Sequence, residues 1–265
     1  MGDLAVLRGG LAELGSVVVA FSGGADSAFL AYVANDVLGD RARVVTAVSP
    51  SLAPEERADC ESLAREWGLR WEAVETDELA DPAYAANDGE RCYHCKVSLM
   101  DALAPFVSAG SGAAVALGVN LDDLGDHRPG QRAAAERGAV FPLVDAGFTK
   151  ADVRAASKAL GLRTWDKPAA ACLASRVPYG TSVTLGVLTS VAQAESALRG
   201  LGFGQLRVRH YGDLARIELD GPDVAEAVRR RDEVVAAVKQ AGYRYVTVDL
   251  EGFRSGNLNQ ALGDS

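Results

Sequence analysis

The sequence contains no apolar run long enough to cross a membrane, and it is poor in cysteine and in aromatic residues. Of its 265 residues 48% are hydrophobic, enough for a full core, but only 6% are aromatic and four are cysteines. No basic segment precedes an apolar one near Met1, so we expect no signal peptide and a cytoplasmic location. Cysteines in such a chain are expected to be thiols or ligands rather than disulfides.

The sequence also lacks an excess of positively charged residues. The chain has 27 Lys and Arg residues against 36 Asp and Glu residues, which gives a formal net charge of −9. A protein that holds a nucleic acid by its phosphates normally carries a basic surface. The acidic balance leaves room for a local basic groove, but it favours a small-molecule substrate over RNA.

Apolar runs typical of strands alternate with helix-like segments in the first part of the chain. The predicted strands are Val17–Phe21, Val44–Val48, Arg70–Val74 and Ala114–Leu117, and the predicted helices are Ala28–Val37, Pro54–Trp67, Cys95–Val107 and Thr149–Leu160. This alternation predicts an α/β fold with an open, parallel, Rossmann-like sheet. Ligands of such sheets bind beyond the carboxyl ends of the strands, where the strand order reverses.

The pattern changes after Pro178–Tyr179–Gly180. An α-β-β-α-β order follows, with a helix at Thr184–Leu201, strands at Gln205–Tyr211 and Ala215–Leu219, a helix at Pro222–Gln240 and a strand at Arg244–Leu250. We therefore expect residues 1–180 to form one domain and residues 181–265 to form a small α+β domain for substrate binding or oligomerisation.

A glycine-rich turn joins the first predicted strand to the first predicted helix. Its sequence is Ser22–Gly23–Gly24–Ala25–Asp26–Ser27. Backbone N–H groups and the helix dipole at such a junction attract anions, and the two glycines permit a tight turn and close approach of phosphate. Ser22 and Ser27 can donate to phosphate oxygens, and Asp26 can hold Mg²⁺. The sequence therefore predicts a phosphate site here.

This turn lacks the Gly-Lys-Ser/Thr ending of a Walker A loop. It resembles the PP-loop of the ATP pyrophosphatases, and that resemblance implies cleavage of ATP between the α- and β-phosphates. Ser49 ends the second strand, at a place where such folds often hold adenine or ribose.

The four cysteines fall into two groups. Cys60 has Leu63, Ala64 and Trp67 at helical spacing, which predicts a core position. Cys92 and Cys95 form a Cys-x-x-Cys pair at a helix start, whereas Cys172 stands alone.

Three readings of the second group stay open. With His94, the three cysteines can supply four zinc ligands; as three thiolates, they can hold a cubane iron–sulfur cluster with one open iron; or Cys92 and Cys95 are a redox pair. Cys172 can also attack an activated substrate itself, since the nearby Arg176 favours its thiolate.

Longer motifs narrow the assignment. They are Asn120–Gly130, Trp165–Arg176, Arg207–Val208–Arg209, Ala215–Arg216–Ile217–Glu218 and Gly252–Phe253–Arg254–Ser255–Gly256. Together they resemble the LarE family of sulfur transferases, which build the nickel-pincer nucleotide of lactate racemase. The resemblance implies that ATP adenylylates a carboxylate of pyridinium-3,5-biscarboxylic acid mononucleotide, which then becomes a thiocarboxylate. It also implies a homo-oligomer.

The resemblance carries site residues with it. It implies a 4Fe–4S cluster on Cys92, Cys95 and Cys172 that passes on sulfide from a sulfur donor, or else sacrifice of Cys172 to dehydroalanine. Arg207 and Arg209 alternate on one strand and so share a face, as a phosphate clamp requires. It also implies Glu195 and Glu218 on a divalent metal, the alternative being exposed surface carboxylates. From the sequence itself, Arg176 and Arg254 are further candidates for the clamp, and an acidic loop of Asp122, Asp123 and Asp126 either helps with Mg²⁺ or caps the following helix.

Three other functions compete with this one. A PP-loop tRNA thiolase can also use three cysteines, but it needs a basic RNA-binding surface. An amidating ligase gives no task to the three cysteines. A nucleotide-sensing module would hold a cluster without releasing pyrophosphate.

Overall fold

A computed structural model describes residues 2–108, 112–125, 129–168 and 171–254. The chain divides into two compact units. The first comprises Met1–Ser49, Pro54–Glu78 and Cys92–Ala170, and the second comprises Pro50–Ala53, Leu79–Arg91 and Ala171–Ser265. The second unit thus includes three segments that precede residue 181, namely residues 50–53, 79–91 and 171–180.

The elements follow one another in chain order. The first half contains α1 (Leu4–Leu14), β1 (Val17–Ala20), α2 (Ala25–Leu38), β2 (Ala42–Val48), α3 (Pro54–Glu66), β3 (Arg70–Glu75), α4 (Pro82–Ala85), α5 (Arg91–Ser108) and β4 (Ala114–Leu117). The second half contains α6 (Pro129–Glu136), α7 (Pro142–Asp145), α8 (Lys150–Ala159), α9 (Leu185–Gly200), β5 (Leu206–Tyr211), β6 (Leu214–Leu219), α10 (Gly221–Arg229), α11 (Arg231–Gln240) and β7 (Tyr245–Val248).

A four-stranded parallel sheet forms the centre of the first unit. Its strand order is β3-β2-β1-β4, and Val17 pairs with both Ala42 and Ala114. Alternate residues of β1 enter different cores: Val17 and Val19 pack in one apolar cluster and Val18 in another. Apolar side chains from helices complete both clusters, so the α/β, Rossmann-like prediction is confirmed.

The order of strands locates the ligand edge of this sheet. The chain runs from β1 to β2 and β3 on one side, whereas β4 pairs with the other side of β1. The strand order therefore reverses between β1 and β4, and the loops that follow these two strands lie at the switch point.

The second unit contains a mixed three-stranded sheet. In the order β5-β6-β7, β5 and β6 are antiparallel and β6 and β7 are parallel. Leu206, Val208 and Ile217 share a core with apolar residues of α9 and α11. The predicted helix Pro222–Gln240 is wrong as a single element, because it breaks at Arg230, whose guanidinium donates to the Leu201 carbonyl at 2.8 Å.

None of the helices in the described ranges combines the length and the apolar character that a membrane span needs.

Candidate functional site

Three backbone carbonyl groups at the turn between β1 and α2 accept hydrogen bonds from other groups of the protein. The Phe21 carbonyl accepts from Thr46 Oγ1 at 2.8 Å and the Gly23 carbonyl from Lys167 Nζ at 3.1 Å. The Gly24 carbonyl accepts from Ser27 Oγ at 3.2 Å and from the first turn of α2. Because a trans peptide places its C=O and N–H on opposite sides, the bound Gly23 and Gly24 carbonyls turn the Gly24 and Ala25 N–H groups the other way, whereas the Ser22 N–H is bound within the loop.

The two serines of the turn lie against each other. Ser22 Oγ and Ser27 Oγ are 3.1 Å apart, and the Ser22 N–H donates to Ser27 Oγ at 3.2 Å. Among the predicted phosphate-binding residues, the structure thus brings Ser22, Gly23, Gly24 and Ser27 into one compact loop. Their binding of phosphate stays a prediction.

Two glycines allow the close packing of this loop. Gly23 has a positive φ of 70°, and a Cβ there would lie 2.9 Å from Cys60 Sγ. Gly118, which follows β4, packs against α2 so tightly that a Cβ would lie 2.8 Å from the Ser27 nitrogen. A side chain at Gly23 would push the loop away from α3, and one at Gly118 would push the end of β4 away from α2.

Asp26 lies in the first turn of α2, beside the loop that follows β4. Its Oδ1 accepts from Asn120 Nδ2 at 3.2 Å. Burial raises the pKa of Asp26 above its ordinary value of 3.8, the Asp123 carboxylate adds to this, and the Lys150 charge opposes it. Asn120 turns its amide nitrogen toward this carboxylate, so the oxygens that Mg²⁺ prefers would come from Asp26 itself, and its binding of Mg²⁺ stays a prediction.

The acidic loop after β4 binds backbone groups. Asp123 Oδ2 accepts from the Asn120 N–H at 3.2 Å, and Asp122 Oδ2 accepts from the Lys150 N–H at 2.8 Å, at the start of α8. Asp122 thus contacts the start of α8, and a role of this loop in holding Mg²⁺ stays a prediction. Asp126 lies outside the described residues.

Ser49 follows β2 at the same edge of the sheet. Its hydroxyl donates to Glu78 Oε1 at 2.5 Å, and Glu78 is buried. A contact of Ser49 with adenine or ribose stays a prediction.

Lys167 lies beneath the turn. Its ammonium donates to Glu56 Oε2 at 2.8 Å and to Asp59 Oδ2 at 2.7 Å, besides the Gly23 carbonyl. Burial opposes the charge of Lys167, but the two carboxylates outweigh this effect and raise the pKa of Lys167 above its ordinary value. The side chain therefore stays charged under the loop.

The four cysteines differ in exposure, and none is in a disulfide. Cys60 is fully buried, as predicted, and burial raises the pKa of its thiol to about 11. Cys92 is exposed and Cys95 is partly exposed in the first turns of α5, which starts earlier than predicted; Cys172 is exposed in the second unit.

The metal centres stay predictions. Over the ranges the structure describes, no three His, Cys, Asp or Glu side chains form a group that could hold a metal ion. Cys92 and Cys95 belong to the first unit and Cys172 to the second, so neither unit by itself contains all three cysteines, and the iron–sulfur cluster stays a prediction.

Arg176 holds the backbone around Cys172. Its Nη1 donates to the Ala171 carbonyl at 2.6 Å and to the Cys172 carbonyl at 3.0 Å. Its Nε and Nη2 bind the two oxygens of Glu195 at 2.8 and 3.0 Å, and both side chains are buried. Arg176 thus positions the segment that carries Cys172 by means of main-chain contacts.

Arg207 and Arg209 share one face of β5, as predicted from their spacing. Arg209 Nη2 binds Glu218 Oε2 at 2.7 Å, and its Nη1 donates to the Ser175 carbonyl at 2.9 Å. The Arg207 guanidinium lies 5.1 Å from the ring centre of Phe253. Burial and the charges of Arg176 and Arg209 lower the pKa of Arg207 to about 10. An anion placed here would relieve this concentration of positive charge.

Glu195 and Glu218 are both fully buried and bind arginines. Glu195 accepts from Arg199 at 2.9 Å and from the Val208 N–H at 3.0 Å, in addition to Arg176. Glu218 Oε1 accepts from Arg216 at 2.9 Å. Burial opposes the ionisation of Glu195, but these partners outweigh it and lower its pKa. Their binding of a divalent metal stays a prediction.

Two residues of the first site were not assigned a role from sequence. Asn120 is fully buried and joins the loop after β4 to Asp26, and Lys167 joins α3 to the turn. Because Asn120 follows an apolar strand, the sequence was enough to predict its place at the ligand edge of the sheet. Lys167 offered no such signal, because its contacts lie far away along the chain.

Comparison with known proteins gives the family. No family model matches the chain. An uncharacterised protein of Synechocystis is 47% identical over 97% of this chain and 96% of its own length. The pyridinium-3,5-bisthiocarboxylic acid mononucleotide synthase of Lactiplantibacillus plantarum is 40% identical over 97% of this chain and 94% of its own length. An uncharacterised protein of Methanocaldococcus jannaschii is 26% identical over 90% of this chain and 91% of its own length. From the second of these matches, the chain belongs to the LarE family.

Proposed function

We propose that this protein is an ATP-dependent sulfur transferase. It adenylylates a carboxylate of pyridinium-3,5-biscarboxylic acid mononucleotide and converts it to a thiocarboxylate. The similarity to a synthase named for the bisthiocarboxylic acid product supports the substrate. The observation that carries the nucleotide step is that the protein binds the Gly23 and Gly24 carbonyls of the turn Ser22–Ser27, so that the N–H groups of Gly24 and Ala25 would face an anion.

The adenylylation step makes an unreactive carboxylate reactive. A carboxylate oxygen of the substrate attacks the α-phosphorus of ATP, the bond to the β-phosphate oxygen breaks, and pyrophosphate leaves. The N–H groups of the turn and the hydroxyls of Ser22 and Ser27 would stabilise the charge that develops on the departing group. Mg²⁺, which Asp26 would hold, supplies further neutralisation of that charge.

The substrate phosphate would bind in the second unit. Arg207 is the residue best suited to receive it, because its guanidinium lies against the Phe253 ring and among the positive charges of Arg176 and Arg209, which an anion would balance. Arg209 lies on the same strand face and is held in place by Glu218. A forked guanidinium is the group that usually recognises phosphate in two-point fashion.

The sulfur would come by way of the three exposed or partly exposed cysteines. Cys92, Cys95 and Cys172 would hold a 4Fe–4S cluster through their thiolates, and such a cluster would present sulfide taken from a sulfur donor. That sulfide would form the C–S bond at the acyl-adenylate carbonyl, and AMP would leave. In the alternative route, the Cys172 thiolate attacks the acyl-adenylate carbonyl and AMP leaves. Loss of the Cys172 α-proton to a base then breaks its Cβ–S bond, giving the thiocarboxylate and dehydroalanine.

The test uses protein purified without oxygen and supplied with ATP, Mg²⁺ and the mononucleotide. We expect AMP, pyrophosphate and a product in which one oxygen is replaced by sulfur, each followed by chromatography and mass spectrometry. Cys172→Ala is expected to keep pyrophosphate release and to lose the thiocarboxylate, because it removes only the sulfur route.

Cys92→Ala separates the two sulfur routes. It abolishes the thiocarboxylate and the bound iron if a cluster supplies the sulfur, and it leaves product formation intact if Cys172 is sacrificed. Ser98→Ala on the same helix serves as the matched control and is expected to keep both products. Absence of pyrophosphate release from wild-type protein with the mononucleotide would refute the proposed function.

The resemblance also leads us to expect a homo-oligomer in the cytoplasm, with no nucleic acid partner. Light scattering on the purified protein tests the first of these expectations.

A further inference from the structure

The carbonyl of Gly23 is bound by an ammonium group, which is an unusual anchor for a turn that is to receive an anion. Lys167 Nζ lies 3.1 Å from this carbonyl, and the two residues are 144 positions apart in the chain. Lys167 also binds Glu56 and Asp59, at 2.8 and 2.7 Å. An ammonium has three N–H donors, and these three acceptors use them all.

The surroundings of Lys167 fix its position. Its side chain is 17% exposed, and its two carboxylate partners lie one turn apart on α3. From the same helix, Cys60 Sγ lies 2.9 Å from the point where a Cβ of Gly23 would be. The turn therefore rests on α3 through Cys60, and Lys167 fastens it there.

This contact determines where the next N–H group points. No peptide bond in the described part of the chain is cis, so the Gly24 N–H lies on the side of its peptide plane opposite to the Gly23 carbonyl. Holding that carbonyl inward therefore holds the Gly24 N–H outward. Without the contact, Gly23 has the freedom of glycine to rotate this peptide.

We propose that Lys167 is a positioning residue of the nucleotide site, which turns the Gly24 N–H toward the phosphates of ATP by binding the Gly23 carbonyl. This inference rests on the proposed function. Glu56 and Asp59 balance the charge of Lys167, so that its role is to orient the peptide rather than to attract the nucleotide from a distance.

Nucleotide titration of Lys167→Met by calorimetry tests the inference. We expect ATP with Mg²⁺ to bind about tenfold more weakly, the effect of losing one hydrogen bond to a charged group. AMP lacks the departing phosphates, so its affinity should change by less than about twofold. Arg163→Gln is the matched control: Arg163 also binds Asp59, at 2.7 Å, but its other contact is to Glu66, away from the turn. It should bind ATP as wild type does.

A titration at high salt separates orientation from repulsion. Lys167→Met leaves Glu56 and Asp59 without their ammonium partner, and their charges then act on ATP. Salt screens this repulsion, so we expect the tenfold loss from Lys167→Met, relative to the wild type under the same conditions, to persist at high salt. Disappearance of the loss there would overturn the inference, as would equal weakening of ATP and AMP, or Lys167→Met binding ATP like the wild type.

The outcomes also distinguish this inference from the proposed function. Wild-type protein that binds no ATP overturns both, whereas wild-type binding matched by Lys167→Met overturns only the role of Lys167. Melting temperatures and circular dichroism establish that the variants fold. If Lys167→Met does not fold, Lys167→Arg replaces it, because a planar guanidinium cannot reproduce all three contacts; equal ATP and AMP affinity losses in that variant would again overturn the inference.

Discussion

The two units carry candidate anion sites made of different groups. In the first unit, the backbone of the turn Ser22–Ser27 supplies the donors, and side chains such as Thr46 and Lys167 only orient it. In the second unit, the donors are the guanidinium groups of Arg207 and its neighbours, and buried carboxylates orient them.

The difference shows what each site depends on. A backbone site depends on one local conformation, so it is sensitive to any residue that cannot adopt that conformation. A site of buried ion pairs depends on every partner, because removal of one leaves the other charged and desolvated. Substitutions in the two units should therefore act in different ways.

The largest effect on stability is expected at Glu195. Glu195→Ala leaves Arg176 buried without its carboxylate and leaves the Val208 N–H without its acceptor. Breaking a buried ion pair in this way costs about 3–5 kcal/mol. Urea unfolding of the variant, followed by circular dichroism, measures the loss.

Glu226→Ala is the control for this prediction. Glu226 pairs with Arg229 on the surface of α10, where both side chains are exposed. Its removal should change the free energy of unfolding by less than about 0.5 kcal/mol. Equal effects of the two substitutions would mean that the Glu195 pair is as well hydrated as the surface pair. The second unit would then not depend on buried ion pairs, and its contrast with the first unit would fail.

A smaller loss, about 2 kcal/mol, is expected for Gly23→Ala. The φ of 70° at Gly23 is unfavourable for alanine, and the added Cβ would meet Cys60 Sγ. Gly24 lies next to it with φ of −74°, and a Cβ there would make only an ordinary contact with Ser22 Oγ, at 3.6 Å, so Gly24→Ala should be far less destabilising. Thermal unfolding of the two variants compares them directly.

Combining Gly23→Ala with Cys60→Ala divides this effect into its parts. The smaller side chain at position 60 removes the steric contact and leaves the backbone strain. The penalty for Gly23→Ala should therefore shrink in that background without vanishing. If it vanishes, the positive φ contributes nothing, and the turn is less constrained than a backbone site requires.

The parts of the molecule that local patterns determine were predictable from the sequence. The strand Ala114–Leu117 was placed without error, and the apolar spacing around Cys60 predicted its burial. The glycine and serine positions of the turn were also predictable, because a strand that ends in two glycines before a helix has few conformations open to it.

The parts that depend on distant contacts were not predictable. Asn120 and Asp26 are 94 positions apart, and Lys167 and Gly23 are 144 apart, so no local pattern relates them. The break at Arg230 has the same origin, since a tertiary hydrogen bond to Leu201 accompanies it. The sequence also gave no sign that the buried Glu195 would bind arginine side chains, because pairing of this kind is set by packing.

The smallest effect has the opposite sign and concerns Asp26. Burial raises its pKa, so ionisation of this side chain destabilises the metal-free protein. Asp26→Asn should therefore increase the free energy of unfolding at pH 7, measured by urea unfolding in the presence of EDTA. It should also abolish Mg²⁺-dependent pyrophosphate release, because an amide is a poor ligand for this cation.

The pH dependence of that gain follows from the direction of the pKa shift. A raised pKa means that the bound proton stabilises the folded protein fully below the ordinary value of 3.8, and that this contribution is lost as the pH rises through the folded pKa. The advantage of Asp26→Asn should therefore be absent at acid pH and reach its plateau near neutrality. Asp36→Asn, at an exposed carboxylate on the same helix that pairs with Arg8, should show no such gain. A gain for Asp26→Asn that is already complete at acid pH would show that its cause is not the buried charge. Ionisation of Asp26 would then not destabilise the metal-free protein.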